Sequence, residues 1–158
     1  MKESDLLYKR LKKLTVVWLL LTCWNVGLIN QQVIIENKKV SPVKDPLVTQ
    51  RFSTSHKGYD IIDKFDNRNV YSIVRCRIID KGFTGNRSPY LTCYDFNNQR
   101  YYKYIHITSD LIINQILDSG DIIGNYNNEG NSLGYHLHLE IYDGKNNYNK
   151  ESVDKWKM

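Results

Sequence analysis

The amino-acid sequence predicts a mainly β domain of antiparallel strands, on three observations. From Leu47 onward the apolar stretches are short, rich in β-branched and aromatic residues, and broken by Gly, Asn, Asp and Ser. That is how strands joined by tight turns read. No such stretch alternates with a long helical pattern, so a parallel doubly wound sheet is not expected. The segment "YHLHLEIY", residues 135–142, alternates polar and apolar side chains with the two-residue period of a half-buried strand. The chain has 158 residues, 41% hydrophobic and 25% charged, enough for one modest domain with a core and too few for two ordinary ones. Three prolines, nine glycines and no low-complexity run argue against disorder, and twelve tyrosines suit a sheet.

From the N-terminus, residues 1–29 read as a basic flank followed by a membrane anchor or signal. Lys9, Arg10, Lys12 and Lys13 precede "LTVVWLLLTCWNVGLI", residues 14–29, which carry no charged side chain. As a helix this run reaches only about 24 Å against a bilayer core of roughly 30 Å, so the span is short. No small-x-small cleavage site follows, which favours an uncleaved anchor over a removed signal. "LLTC", ending at Cys23, loosely resembles a lipoprotein box, but threonine before the cysteine is an unusual choice there. With the basic flank inside, everything after Ile29 is extracytoplasmic, held at the cell envelope or secreted if the segment is cleaved.

Residues 30–46, "NQQVIIENKKVSPVKDP", mix charge, amide and proline and read as a linker. The domain is expected over 47–145, with a C-terminal tail at 146–158. Its expected strands are Leu47–Phe52, Val70–Ile79, Tyr90–Phe96, Arg100–Ile107 and Tyr135–Tyr142, and "FNNQ", residues 96–99, reads as a hairpin loop. "LIINQILDSGDIIG", residues 111–124, fits a short helical turn or two brief strands. "GNYNNEGNSLG", residues 124–134, reads as a turn-forming loop, since no lysine follows at the spacing of a phosphate cradle. Cys76 and Cys93 lie in strands that can pair, so a disulfide is one reading and two buried thiols the other.

The net charge of +5 suits an anionic partner, but part of it sits in the N-terminal flank. The most basic stretch of the domain, "NRNVYSIVRCRIIDKG" at 67–82, reads as a solvated strand face, so no nucleic-acid partner is expected.

The chain has four histidines. On a strand His136, His138 and Glu140 share one face while Leu137, Leu139 and Ile141 take the other, toward the core. His56 is followed four residues later by Asp60, with Gly58 between them to let a loop bend as it enters a strand. Together with His138 these make two imidazoles and one carboxylate. That donor set suits zinc with a fourth position open to water, as in a catalytic site; a structural site is normally closed by four protein ligands, usually including cysteine. Tyr102 and Tyr104 share a strand face with His106 and either line a site there or pack.

"HKGYD", "YIH" and "GNSLGYHLHLE", in that order, make the chain similar to the lysostaphin-type (LytM-like) zinc endopeptidases that cut peptide cross-links of bacterial peptidoglycan. The resemblance runs from about Thr49 to Asp143 and includes "SGDIIG". It implies a partly open, barrel-like antiparallel β fold with the site in a groove, zinc held by His56, Asp60 and His138, and catalytic histidines at His106 and His136. One of that pair would take a proton from water and the other support the oxyanion or leaving amine. Glu140 either orients a ligand imidazole or is a solvated strand end. Tyr135 stands where the family commonly has proline, Leu139 where phenylalanine is frequent, and the loop from Phe52 to His56 is short. The other reading of the resemblance is a non-catalytic domain that binds the wall or regulates a hydrolase. Such domains typically lack metal ligands, whereas here all five positions are filled.

Overall fold

The β-branched, turn-punctuated segments form ten strands in the computed structural model, which describes residues 39–143. They are β1 (Pro46–Gln50), β2 (Tyr59–Asp63), β3 (Asn69–Tyr71), β4 (Cys76–Phe83), β5 (Pro89–Asp95), β6 (Arg100–Ile105), β7 (Ile107–Thr108), β8 (Ile116–Leu117), β9 (Ile122–Tyr126) and β10 (Leu137–Asp143). A seven-stranded sheet runs β1-β2-β10-β6-β5-β4-β8 and a three-stranded sheet runs β3-β9-β7. Every pairing is antiparallel. Among the described residues there is no helix, so none long and apolar enough to cross a membrane. The expected apolar helix of residues 14–29 and the tail at 146–158 lie outside the described residues.

Alternation decides which side chains make the core. Tyr59 and Ile61 of β2, Leu91 and Cys93 of β5, Tyr102 and Tyr104 of β6, and Leu137, Leu139 and Ile141 of β10 point inward from the large sheet. Val70, Ile107, Ile123 and Tyr126 meet them from the small one. Val40 and Val43, within the stretch read as a linker, are also buried, and the Val40 N–H donates to the Ile73 carbonyl at 3.0 Å. Burying apolar surface against two sheets supplies most of the stabilisation of such a domain.

Several sequence expectations change. The strand expected over 70–79 is two strands in different sheets, because the chain crosses between layers at Ser72–Arg75, burying Ile73 and Val74 on the way. Residues 111–124 resolve as the brief strands β8 and β9. Tyr102 and Tyr104 pack in the core, and Tyr104 Oη accepts a hydrogen bond from the Ile73 N–H at 3.2 Å. Cys76 and Cys93 are free, buried thiols. The "FNNQ" hairpin forms as expected, with Asp95 Oδ1 accepting from the N–H groups of Asn97 and Asn98.

Candidate metal centre and its groove

His138 of β10 lies opposite Asp60 of β2 on one side and Ile105 of β6 on the other. Because Leu137 and Leu139 face the core, the same alternation turns His138 and Glu140 outward onto the open face of the sheet. His138 Nδ1 donates to Asp60 Oδ1 at 2.8 Å. His56 reaches the same oxygen from the loop before β2, where a turn closes by a hydrogen bond from the Ser53 N–H to the His56 carbonyl. Its Nε2 is 3.3 Å from Asp60 Oδ1, and its ring meets that of His138 edge-on with centroids 4.7 Å apart. His56 Nε2 is nevertheless buried without a well-aligned hydrogen bond, the condition of a nitrogen poised for another partner.

Gly58 is required here by space. A Cβ on it would lie 2.5 Å from the Leu139 carbonyl oxygen and 2.7 Å from His138 Nε2. The glycine therefore lets the β2 entry press against the His138 ring, beyond allowing the bend.

The candidate donor atoms of His56, Asp60 and His138 lie within 4.8 Å of one another. Two imidazoles and a carboxylate at that spacing fit zinc, and the unbonded His56 nitrogen and the close Gly58 cradle agree with that fit. Glu140 stands on the far side of His138, its Oε1 3.5 Å from Nε2 and its side chain only 15% exposed. It is therefore not a solvated strand end, and it is placed to orient the His138 imidazole.

His106 and His136 complete the cluster, with ring centroids 4.7 Å apart. His136 sits just before β10, its Nε2 3.6 Å from Asp60 Oδ1 and its Nδ1 donating to the Gly134 carbonyl at 2.8 Å. His106 arrives by a break in register. Continued alternation from Tyr104 would send it into the core, but its φ of 60° ends β6 and redirects the chain into β7 of the other sheet. The left-handed conformation costs a non-glycine residue roughly 1–2 kcal/mol. Hydrogen bonds offset it: the His106 N–H donates to the Pro89 carbonyl at 2.8 Å, and Nδ1 donates to the Glu129 carbonyl at 2.8 Å.

Sequence reasoning missed the backbone carbonyls of Glu129 and Gly134, since a main-chain oxygen has no residue-type signature; the glycine- and asparagine-rich loop was the only trace. It also missed Ser132, whose Oγ donates to the Gly134 carbonyl at 2.6 Å and lies 3.3 Å from His136 Nδ1.

Burial is the largest influence on the ionisation of His56, Asp60, His106 and His138. It holds His56 and His106 below the ordinary histidine value. It works against charge on His138 too, but hydrogen bonds to Asp60 and Glu140 outweigh it and push that imidazole up to about 9. For Asp60, burial pulls upward and is overcome by the His138 hydrogen bond and the surrounding imidazoles, leaving the carboxyl below its ordinary value. His56, Asp60, His106, His136 and His138, but not Glu140, line one groove of about 690 Å³, whose walls include Thr49, Thr84, Asn131, Leu133 and Tyr135. Arg68, held by Asp66, lies 3.7 Å over the Tyr135 ring at its rim.

The family model described as Peptidase family M23 matches residues 54–154. A comparison with curated proteins finds no match. Among solved structures, the antimicrobial peptidase lysostaphin from Staphylococcus simulans shares 18% identity, with 73% of this chain and 49% of that one covered at a TM-score of 0.56. A zinc-containing peptidase from Vibrio cholerae matches at 17% identity over 75% of this chain and 40% of that one, TM-score 0.53. A lytM protein from Ruminococcus gnavus matches at 21% identity over 84% and 63%, TM-score 0.51. These are likenesses of fold, and the chain spans about half the length of the lysostaphin chain it matches.

Proposed function

The chain belongs to peptidase family M23, and from that premise we propose that it is a zinc-dependent endopeptidase hydrolysing peptide cross-links or bridges of bacterial peptidoglycan. The observation that carries this reading is the convergence of His56, Asp60 and His138 around one carboxylate oxygen, with His56 Nε2 buried and unbonded. His56 Nε2, Asp60 and His138 Nδ1 would hold zinc, which when bound acidifies water and polarises the scissile carbonyl. Glu140 would accept from His138 Nε2 and strengthen Nδ1 as a donor.

His106 and His136 each donate Nδ1–H to a backbone carbonyl. A carbonyl only accepts, so in the neutral ring Nε2 is the atom free to take up a proton and return it to the leaving amine. An extended peptide would lie in the groove that Thr49 and Tyr135 help to line. The products are the two peptide ends, one gaining the water's hydroxyl and the other its proton. Residues 14–29 are proposed to anchor the chain with this domain outside the cytoplasm, on the strength of the basic flank that precedes them.

The test is metal analysis of the purified protein with digestion of several purified wall types, the fragments read by mass spectrometry. Zinc near one equivalent, fragment release abolished by a chelator and restored by zinc are expected. Zinc binding without fragments from any wall would favour the non-catalytic domain instead.

A further inference from the structure

Asn127 follows β9 and does not line the groove, yet its polar groups are all engaged by the frame around the two non-ligand histidines. Its N–H donates to the His106 carbonyl at 2.7 Å, and its own carbonyl accepts from the His136 N–H at 3.4 Å. Its Oδ1 accepts from the Glu129 N–H at 3.0 Å, the local closure that asparagine side chains make two residues onward. Its Nδ2 donates to Thr108 Oγ1 at 2.9 Å, just past the His106 break. The turn so formed delivers the Glu129 carbonyl to His106 Nδ1 at 2.8 Å. The far side of the turn is seated as well. Gly130 has a φ of 79° and a Cβ there would lie 2.3 Å from Ser88 Oγ, which also accepts from the Asn131 N–H at 3.2 Å.

We propose that Asn127 is a positioning residue, its side chain aiming the Glu129 carbonyl so that His106 is held as the Nδ1–H tautomer with Nε2 left to accept a proton. The Glu129 oxygen can only accept, so the contact specifies where the ring proton sits. A free imidazole has no such constraint, and a ring in the other tautomer presents an N–H where a lone pair is needed. The main-chain bonds of Asn127 to both histidines survive substitution, and only the two side-chain bonds are lost. The consequence for turnover rests on the peptidase reading; the tautomer does not.

The experiment uses the full chain loaded with zinc and labelled with ¹⁵N-histidine. Long-range ¹H–¹⁵N spectra at fixed pH give the tautomer of His106, plasma emission gives zinc content, and wall-fragment release gives kcat and KM. Wild type should show Nδ1–H. Asn127→Ala should show a mixed or Nε2–H ring, unchanged zinc, KM within about twofold and kcat lowered about 10- to 100-fold, the usual cost of removing an orienting partner. Asn127→Asp, which keeps Oδ1, should restore the tautomer and most of the turnover. Asn127→Gly replaces the alanine variant if that one does not fold. An Nδ1–H ring retained without the side chain, or zinc lost together with turnover, would overturn the proposal. A wild type with the Nδ1–H ring, lost in Asn127→Ala, but no cleavage of any wall would leave the positioning role intact and defeat the peptidase reading.

Discussion

At the scale of single residues, the four histidines divide by what they touch. His138 and His56 lie against Asp60 Oδ1 at 2.8 and 3.3 Å, so His138→Ala should abolish both zinc retention and cleavage. His106 is fixed by the Glu129 carbonyl rather than by the proposed ligands, so His106→Ala should retain zinc while turnover falls about 10²- to 10⁴-fold, the range for losing an acid–base partner. Zinc analysis beside a fragment-release assay separates the two, and zinc lost from His106→Ala with zinc kept in His138→Ala would reverse the assignment. The same geometry predicts how the metal-free protein responds to pH. His138 is raised from 6.5 to about 9, so its contribution is complete below 6.5 and is lost as pH rises through 9. His56 and His106 are lowered, so theirs is present above 6.5 and is lost as pH falls below it. Asp60, also lowered, matters only in stronger acid. Stability in chelator should therefore peak near pH 6.5 and decline toward 9, and zinc, which takes a deprotonated His138, should remove the alkaline decline. Urea midpoints from pH 5 to 10 measure this; a chelated protein no less stable at pH 9.5 than at 6.5 would contradict the His138 pairing.

At the scale of elements, the contact of the β2 entry with β10 sets the candidate metal centre. Gly58→Ala would place a methyl group 2.5 Å from the Leu139 carbonyl and 2.7 Å from His138 Nε2. Either the strands separate or the ring turns, and overpacking of this kind costs about 1–3 kcal/mol. The variant should melt at lower temperature and bind zinc more weakly, whereas Gly85→Ala, where nothing lies within 4 Å of a new Cβ, should leave zinc affinity unchanged. Competition with a zinc indicator and a thermal melt check both; wild-type affinity in Gly58→Ala would show that the close approach does not shape the site. The β6–β7 junction acts differently, by carrying the chain from one sheet to the other through His106.

At the scale of the whole molecule, the proposed anchor makes a topological prediction: protease added to intact spheroplasts should remove residues 47–158, and their protection while surface controls are digested would reverse the orientation. Within the domain, much of the architecture was legible in local pattern. Period-two alternation in "HLHLEI" set His136, His138 and Glu140 against three core side chains, and the "FNNQ" turn and the His56–Asp60 spacing were equally local. These features are written in residue type because strand pleating and turn closure involve neighbours in the chain. Tertiary structure alone decided that residues 70–79 divide between two sheets, that Tyr102 and Tyr104 face the core while His106 does not, and that the carbonyls of Glu129 and Gly134 set two imidazoles. The reason is energetic. A positive φ at His106 is locally unfavourable and is held by hydrogen bonds from residues distant in sequence, and a backbone carbonyl is the same group at every position, so neither leaves a mark in the order of side chains.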